Sequence, residues 1–201
     1  TGLDRTYAWS IDKSVDDSSI LVDPATGTAS AEYTVVVTEG AATDANWSMT
    51  GQITVTNPNR FQDAVVTVTD ATSVGGVCTV ADGVDATIPA GESVTFDYSC
   101  LFTEAPASYE GSNVATVTWA SQAEPATYTA TFAEADWELT EFLKETVVTD
   151  TFAEFAEEYT EAQRTLTWTK AGTVHEFTYT KVFSGDEVPA AGECLTVDNT
   201  A

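Results

Sequence analysis

Apolar side chains recur at every second position over most of this chain, the signature of strands with one face in a core and one in water. In YAWSIDKSV, Trp9, Ile11, Lys13 and Val15 share a face. In AEYTVVVTE the same holds for Tyr33, Val35 and Val37, and GQITVTNPNR puts Ile53 and Val55 together before an Asn-Pro-Asn turn. AVVTVTD pairs Val66 with Val68. SVTFDYSCLF aligns Val94, Phe96, Tyr98, Cys100 and Phe102, and NVATVTW aligns Ala115, Val117 and Trp119. Short strands separated by Gly, Pro, Asn and Asp breakers predict an all-β chain folded as antiparallel sandwich.

A partial internal repeat divides that pattern. VTVTDAT (66–72) recurs as TVVTDTF (146–152), FDYSCLF (96–102) as FTYTKVF (177–183), and SNVAT (112–116) as DNTA (198–201). Three segments matched in order predict two related modules, 1–122 and 123–201, the second truncated. A competing match of IPAGESVTF (88–96) to VPAAGECLTV (188–197) aligns only one segment. Between the copies, Phe152, Phe155, Ala156 and Tyr159 fall at helical spacing, so 152–162 is either a short helix or a strand-connecting loop with two buried Phe. If DNTA matches SNVAT, the last strand is expected to run further than residue 201, or to be completed by something else.

Composition narrows the function classes. Seven Lys and Arg stand against 32 Asp and Glu, a net charge of −25 over 201 residues. Such a chain has no basic stripe for a nucleic acid and no affinity for anionic lipid heads. No apolar run approaches the roughly 20 residues that span a bilayer. Thr is about one residue in six, as in exposed β-rich extracellular modules. No charged-then-apolar leader is visible, which favours a mature or excised segment of a secreted protein. In an oxidising compartment Cys78 and Cys100 are expected to pair, leaving Cys194 over.

Three polar residues break the apolar faces from inside. Lys13 is in phase with Trp9, Ile11 and Val15, Asp70 with Val66 and Val68, and Asn113 with Ala115, Val117 and Trp119. A lone buried charge costs several kcal/mol, so these residues are expected to meet. Burial lowers a lysine pKa and raises that of an aspartate. A neutral amine held against an amide is a nucleophile at high effective concentration, and a protonated carboxyl can carry the protons while ammonia leaves. The product is a Lys–Asn isopeptide bond made once, without turnover.

The YxWxIxK opening, the GxIxVxNP strand, the VxVTD strand and the NxAxVxW closing strand resemble repeat modules of bacterial surface proteins. These are the immunoglobulin-like and prealbumin-like domains of Gram-positive pilins and adhesin stalks. The resemblance covers most of 7–119 and, loosely, 146–201. It implies two immunoglobulin-like sandwiches in an extracellular, load-bearing or adhesive role, with Lys13 as nucleophile, Asn113 as acceptor and Asp70 as catalytic acid. The second copy departs from the pattern: Asp150 and Asn199 have inward phases, yet no first-strand lysine precedes them, leaving Lys144, Lys170 and Lys181 as candidates.

Other classes fare less well. No nucleophile elbow, phosphate loop or zinc motif occurs, and the single His175 excludes His-based metal clusters and triads, so neither an enzyme for external substrates nor a cofactor or metal is expected. His175 reads as an exposed strand residue. Asp16 with Asp17, or Asp82 with Asp85, could offer calcium oxygens but lack hand-type spacing. Trp47 and Trp137 are the aromatics left for carbohydrate binding. The expected partners are neighbouring modules of the same or a like chain and a host or surface ligand, with no nucleic acid and no membrane insertion. The alternative is a self-assembling filament or surface-layer subunit that uses strand addition.

Overall fold

The computed structural model describes residues 1–120 and 124–201. The protein is all-β and antiparallel, and among the described residues its α-helices are two short ones, α1 (Ala153–Glu158) and α2 (Glu161–Arg164). Its strands are β1 (Gly2–Val15), β2 (Ala29–Thr56), β3 (Ala64–Thr72), β4 (Val77–Val80), β5 (Ala86–Ile88), β6 (Ser93–Leu101), β7 (Gly111–Trp119), β8 (Ala126–Phe132), β9 (Glu138–Phe142), β10 (Glu145–Val147), β11 (Thr165–Thr167) and β12 (Val174–Phe183). No described helix is long and apolar enough to cross a membrane.

Two compact units form, and they are interleaved in sequence. The first comprises Thr1–Arg5 and Asp44–Glu141, the second Thr6–Thr43 and Phe142–Ala201. A single cut at 122 would not produce them, and that point lies outside the described residues. The period-two pattern has no marker for the change of unit, because β1 and β2 keep alternating through it.

In the first unit, Ser48–Thr56 of β2 pairs with β6, and β6 with β4. A second sheet runs β5-β3-β7-β8. Their apolar faces bury Val66, Val68, Ile88 and Phe96 in one cluster and Leu3, Met49, Val74, Cys100 and Trp137 in another. Cys78 and Cys100 face each other across the β4–β6 ladder and form a disulfide. Cys194 is free and exposed.

In the second unit, Ala29–Thr38 of β2 pairs with β12 in register, Tyr33 opposite Tyr179 and Val35 opposite Phe177. β10 pairs with β11. The core gathers Val35, Val37, Val148, Leu166, Phe177 and Tyr179 around Phe155, which is fully buried. Burial of that one ring accounts for a helix at Ala153–Glu158: α1 carries Phe155 inward between Tyr159, Phe177 and Tyr179.

Several inward-phase aromatic and aliphatic residues depart from expectation. Ile11 is 45% exposed, because it lines an open groove with Trp9, Val37, Thr146–Thr149 and Ala201. Trp119 is 43% exposed, at the last pair of the β3–β7 ladder. Trp137 lies in a core with its indole N–H on the Tyr109 carbonyl, and Trp47 bonds the Tyr109 hydroxyl. Trp137 is buried and Trp47 is partly buried against the same core.

Candidate functional site

The second unit holds a part-buried lysine in contact with a carboxylate. Lys13, on β1, contacts the carboxylate of Asp150, whose side chain has no solvent exposure. Alternation dictates this: Trp9 and Val15, in phase with Lys13, pack on the core, so the four-carbon stem is drawn in with them. The ammonium lies 5.3 Å from the centroid of the Tyr33 ring, 5.7 Å from that of Tyr179 and 5.8 Å from that of Phe152. Aromatic faces attract the cation while excluding water, which strengthens its pairing with Asp150.

Asn199 joins the same cluster. Its Nδ2 donates to the Tyr179 hydroxyl at 2.7 Å, and its Oδ1 accepts from the Thr151 hydroxyl at 2.6 Å. The segment is held by the backbone as well, Thr151 N–H donating to the Thr200 carbonyl at 3.0 Å. Tyr179 in turn is hydrogen-bonded to Asp150. Burial pushes the Tyr179 hydroxyl well above its usual value, and the neighbouring Asp150 charge adds to that. Tyr33 is raised for the same two reasons. Both phenols therefore keep their protons. Asp150 also accepts the Phe152 N–H at 3.0 Å, which fixes the carboxylate at the turn before α1.

Asp70 and Asn113 belong to the first unit and Lys13 to the second, so the expected trio is divided between two cores. Asp70 is hydrogen-bonded to Asn113, and burial raises its carboxyl against that bond. Its Oδ2 lies 3.4 Å from the Cys100 sulfur. That sulfur is bonded to Cys78 and has no hydrogen to give, so the approach is a packing contact. The disulfide likewise removes both thiolates from the Asp70, Cys78 and Cys100 group, the one cluster of metal-ligand type among the described residues. Asn113 Oδ1 is buried and has no hydrogen-bond partner among the described residues.

The other lysine candidates have different engagements. Lys181 bridges Glu154 at 2.9 Å and Glu187 at 2.8 Å, which hold its ammonium above the ordinary lysine value. Lys144 has its own interactions, and the Lys170 amide donates to Glu39. His175 is not the exposed residue expected, because it shares the face of Phe177: Nε2 lies 2.9 Å from Oε1 of Glu39, which is 1% exposed. The Asp16 and Asp17 carboxylates accept backbone N–H groups of Glu32 and Ser19, as turn-closing aspartates do.

Sequence reasoning found Lys13, Asp150 and Asn199 individually but assigned the lysine elsewhere. Tyr179, Thr151 and Phe152 were missed as members of the site; the repeat that aligns Tyr179 with Tyr98 was the available signal. No family model, curated protein or solved structure matches the chain.

Proposed function

We propose that this protein is an extracellular structural module of a surface protein or stalk, and that its second unit closes itself with an isopeptide bond from Lys13 to Asn199. The observation that carries this reading is the contact of Lys13 with the fully buried Asp150 inside an aromatic cage that also holds the Asn199 amide. A buried ion pair contributes little net stability over well-packed apolar residues, so its persistence here favours a chemical role.

The reaction balances without a co-reactant. Asp150 takes a proton from the Lys13 ammonium, and Nζ attacks Cγ of Asn199. The Thr151 hydroxyl, already donating to Oδ1, stabilises the developing oxyanion. The Nζ–Cγ bond forms, Cγ–Nδ2 breaks, and Asp150 returns protons to the departing nitrogen, which leaves as ammonium. Lys13 lies on the first strand of the unit and Asn199 in its last segment. A covalent tie between them resists pulling and proteolysis, because the unit cannot then be unzipped from its ends. Neighbouring modules and a surface ligand are the partners this role implies.

Intact mass of the denatured, reduced protein tests the bond. The expected result is a deficit of one ammonia, abolished by Lys13→Ala or Asn199→Ala and retained in Asn113→Ala. A full, unmodified mass would refute it. The groove lined by Ile11, Thr146–Thr149 and Ala201 favours a second reading, a subunit that assembles by strand addition. Fibres under the electron microscope, growing with protein concentration, are its expected result.

A further inference from the structure

The first unit holds a half-buried carboxyl with no cation beside it. Asp70, on β3, enters no ion pair among the described residues. It is hydrogen-bonded to Asn113 of β7, and its Oδ2 lies 3.4 Å from the Cys100 sulfur. The chemistry proposed for Lys13 makes no use of it.

The disulfide that Asp70 touches has two unequal sulfurs. Cys100 sits on β6, flanked by β4 and β2, and is fully buried. Cys78 sits on β4, a four-residue strand at the edge of that sheet, and is half-buried. A reagent coming from solvent therefore meets Cys78 first. Thiol–disulfide exchange attacks one sulfur and expels the other. With Cys78 attacked, the sulfur expelled is Cys100, inside the cluster of Met49, Val74 and Trp137.

A bare thiolate leaves badly into such a place. Apolar surroundings raise a thiol's pKa, and exchange slows as the leaving thiol becomes harder to ionise. A proton given to Sγ as the S–S bond breaks removes that obstacle, and Asp70 is in position to give it. Burial pushes the Asp70 carboxyl up while the Asn113 bond opposes the shift, so the acid form persists to higher pH than an exposed aspartate allows. The other ionisable side chains of that core are the phenols Tyr98 and Tyr109.

We propose that Cys78–Cys100 is a thiol-exchange site for an external dithiol, with Cys78 the sulfur attacked, Cys100 the sulfur released and Asp70 the residue that moves the proton. This stands apart from the Lys13 bond. The reagent's thiolate attacks Cys78 Sγ, the mixed disulfide forms and Sγ–Sγ breaks. Cys100 departs with the electron pair and takes the Asp70 proton. The reagent's second thiolate then closes on its own sulfur and releases Cys78. The dithiol gives two electrons and becomes a disulfide, and the cystine becomes two thiols. Both reagent protons pass to water, from which Cys78 and Asp70 are reprotonated. In reverse, ionised Asp70 takes the Cys100 proton as Cys100 resolves a mixed disulfide on Cys78. Exchange thus unfastens and refastens an edge strand whose other tie to β6 is a ladder of four pairs.

The test uses the intact, folded protein with Cys194, which is free and exposed, alkylated beforehand. Brief treatment with 2-mercaptoethanol, an acid quench and mass mapping should place the first mixed disulfide on Cys78. Reduction by dithiothreitol is then timed from about pH 4 to about pH 8, each rate divided by the ionised fraction of the reagent. The corrected rate should fall with rising pH as Asp70 loses its proton. Asp70→Asn should lower it about tenfold at the acid end and leave it level across the range. A first adduct on Cys100, a level profile in the unaltered protein, or reduction that needs denaturant would overturn the proposal. So would a folded variant with the rate and profile of the unaltered protein. The mapping and the first profile need no variant, so they decide the matter even where Asp70→Asn fails to fold.

Discussion

Replacing Glu39 by Gln removes a charge from the interior of the second unit while keeping the side chain's shape. Burial alone pushes the Glu39 carboxyl up, but the Thr169 and Lys170 amides, the His175 imidazole and the Thr169 hydroxyl outweigh it and hold it at about 2, against a usual 4.5. Those donors lie at 2.6 and 2.7 Å for the two amides and 2.9 Å for His175. Each pKa unit corresponds to about 1.4 kcal/mol, so the ionised carboxylate contributes about 3 kcal/mol. Because the folded-state value is depressed, that contribution is complete above the unfolded value and is lost as pH falls from about 4.5 toward about 2. Amide hydrogen exchange at Thr169 and Lys170 reads it locally. At pH 7, Glu39→Gln is expected to speed exchange at both sites by about two orders of magnitude. From pH 5 to pH 2.5 the native protein should lose most of that advantage while the variant changes little. Equal protection in the two proteins at pH 7, or parallel pH profiles, would refute the assignment of this turn's rigidity to the Glu39 charge.

Phe155→Ala removes a fully buried ring from the second core and should destabilise that unit by about 3–5 kcal/mol in urea unfolding. Reducing Cys78–Cys100, whose separation is 22 residues, should cost the first unit about 3 kcal/mol and shift its denaturation midpoint alone. Tyr179→Phe deletes the hydroxyl joining Asp150 to Asn199 and should slow the ammonia loss at least tenfold in freshly refolded protein, as timed by mass. Gly51→Ala should lower the midpoint of the first unit, since its Cβ would meet the Tyr98 ring at 2.7 Å.

Alternation located β1, β2, β3, β6 and β7, because one wet and one dry face is a local property that each segment writes into its own residues. It also placed Lys13, Asp70, Asn113, Asp150 and Asn199 inward. What it lacked was the pairing of segments. β1 reads as one strand, yet Leu3 packs on Met49 and Trp137 while Trp9 and Val15 pack around Val35 and Tyr179. A change of core partner along one strand leaves the period of two untouched, so Lys13 was joined to Asp70 in sequence and to Asp150 in space. The buried Glu39 was invisible for another reason. Its position carries on the face of Val35 and Val37, and only the turn at Thr169–Lys170, some 130 residues away, supplies the donors that let a carboxylate stay there.

The repeat explains why the two units solve one problem differently. Position for position, Cys100 corresponds to Lys181 and Tyr98 to Tyr179. In the second unit the long Lys181 reaches out to Glu154 and Glu187, leaving Tyr179 to stack on Tyr33 and bind both Asp150 and Asn199. In the first, a short sulfur ties β6 to β4, Asp70 drops against it, and Tyr98 closes over the bare Gly51. A disulfide fastens neighbouring strands of one sheet; the proposed lysine bond fastens the first strand of a unit to its last segment. The first unit therefore has a staple across one ladder.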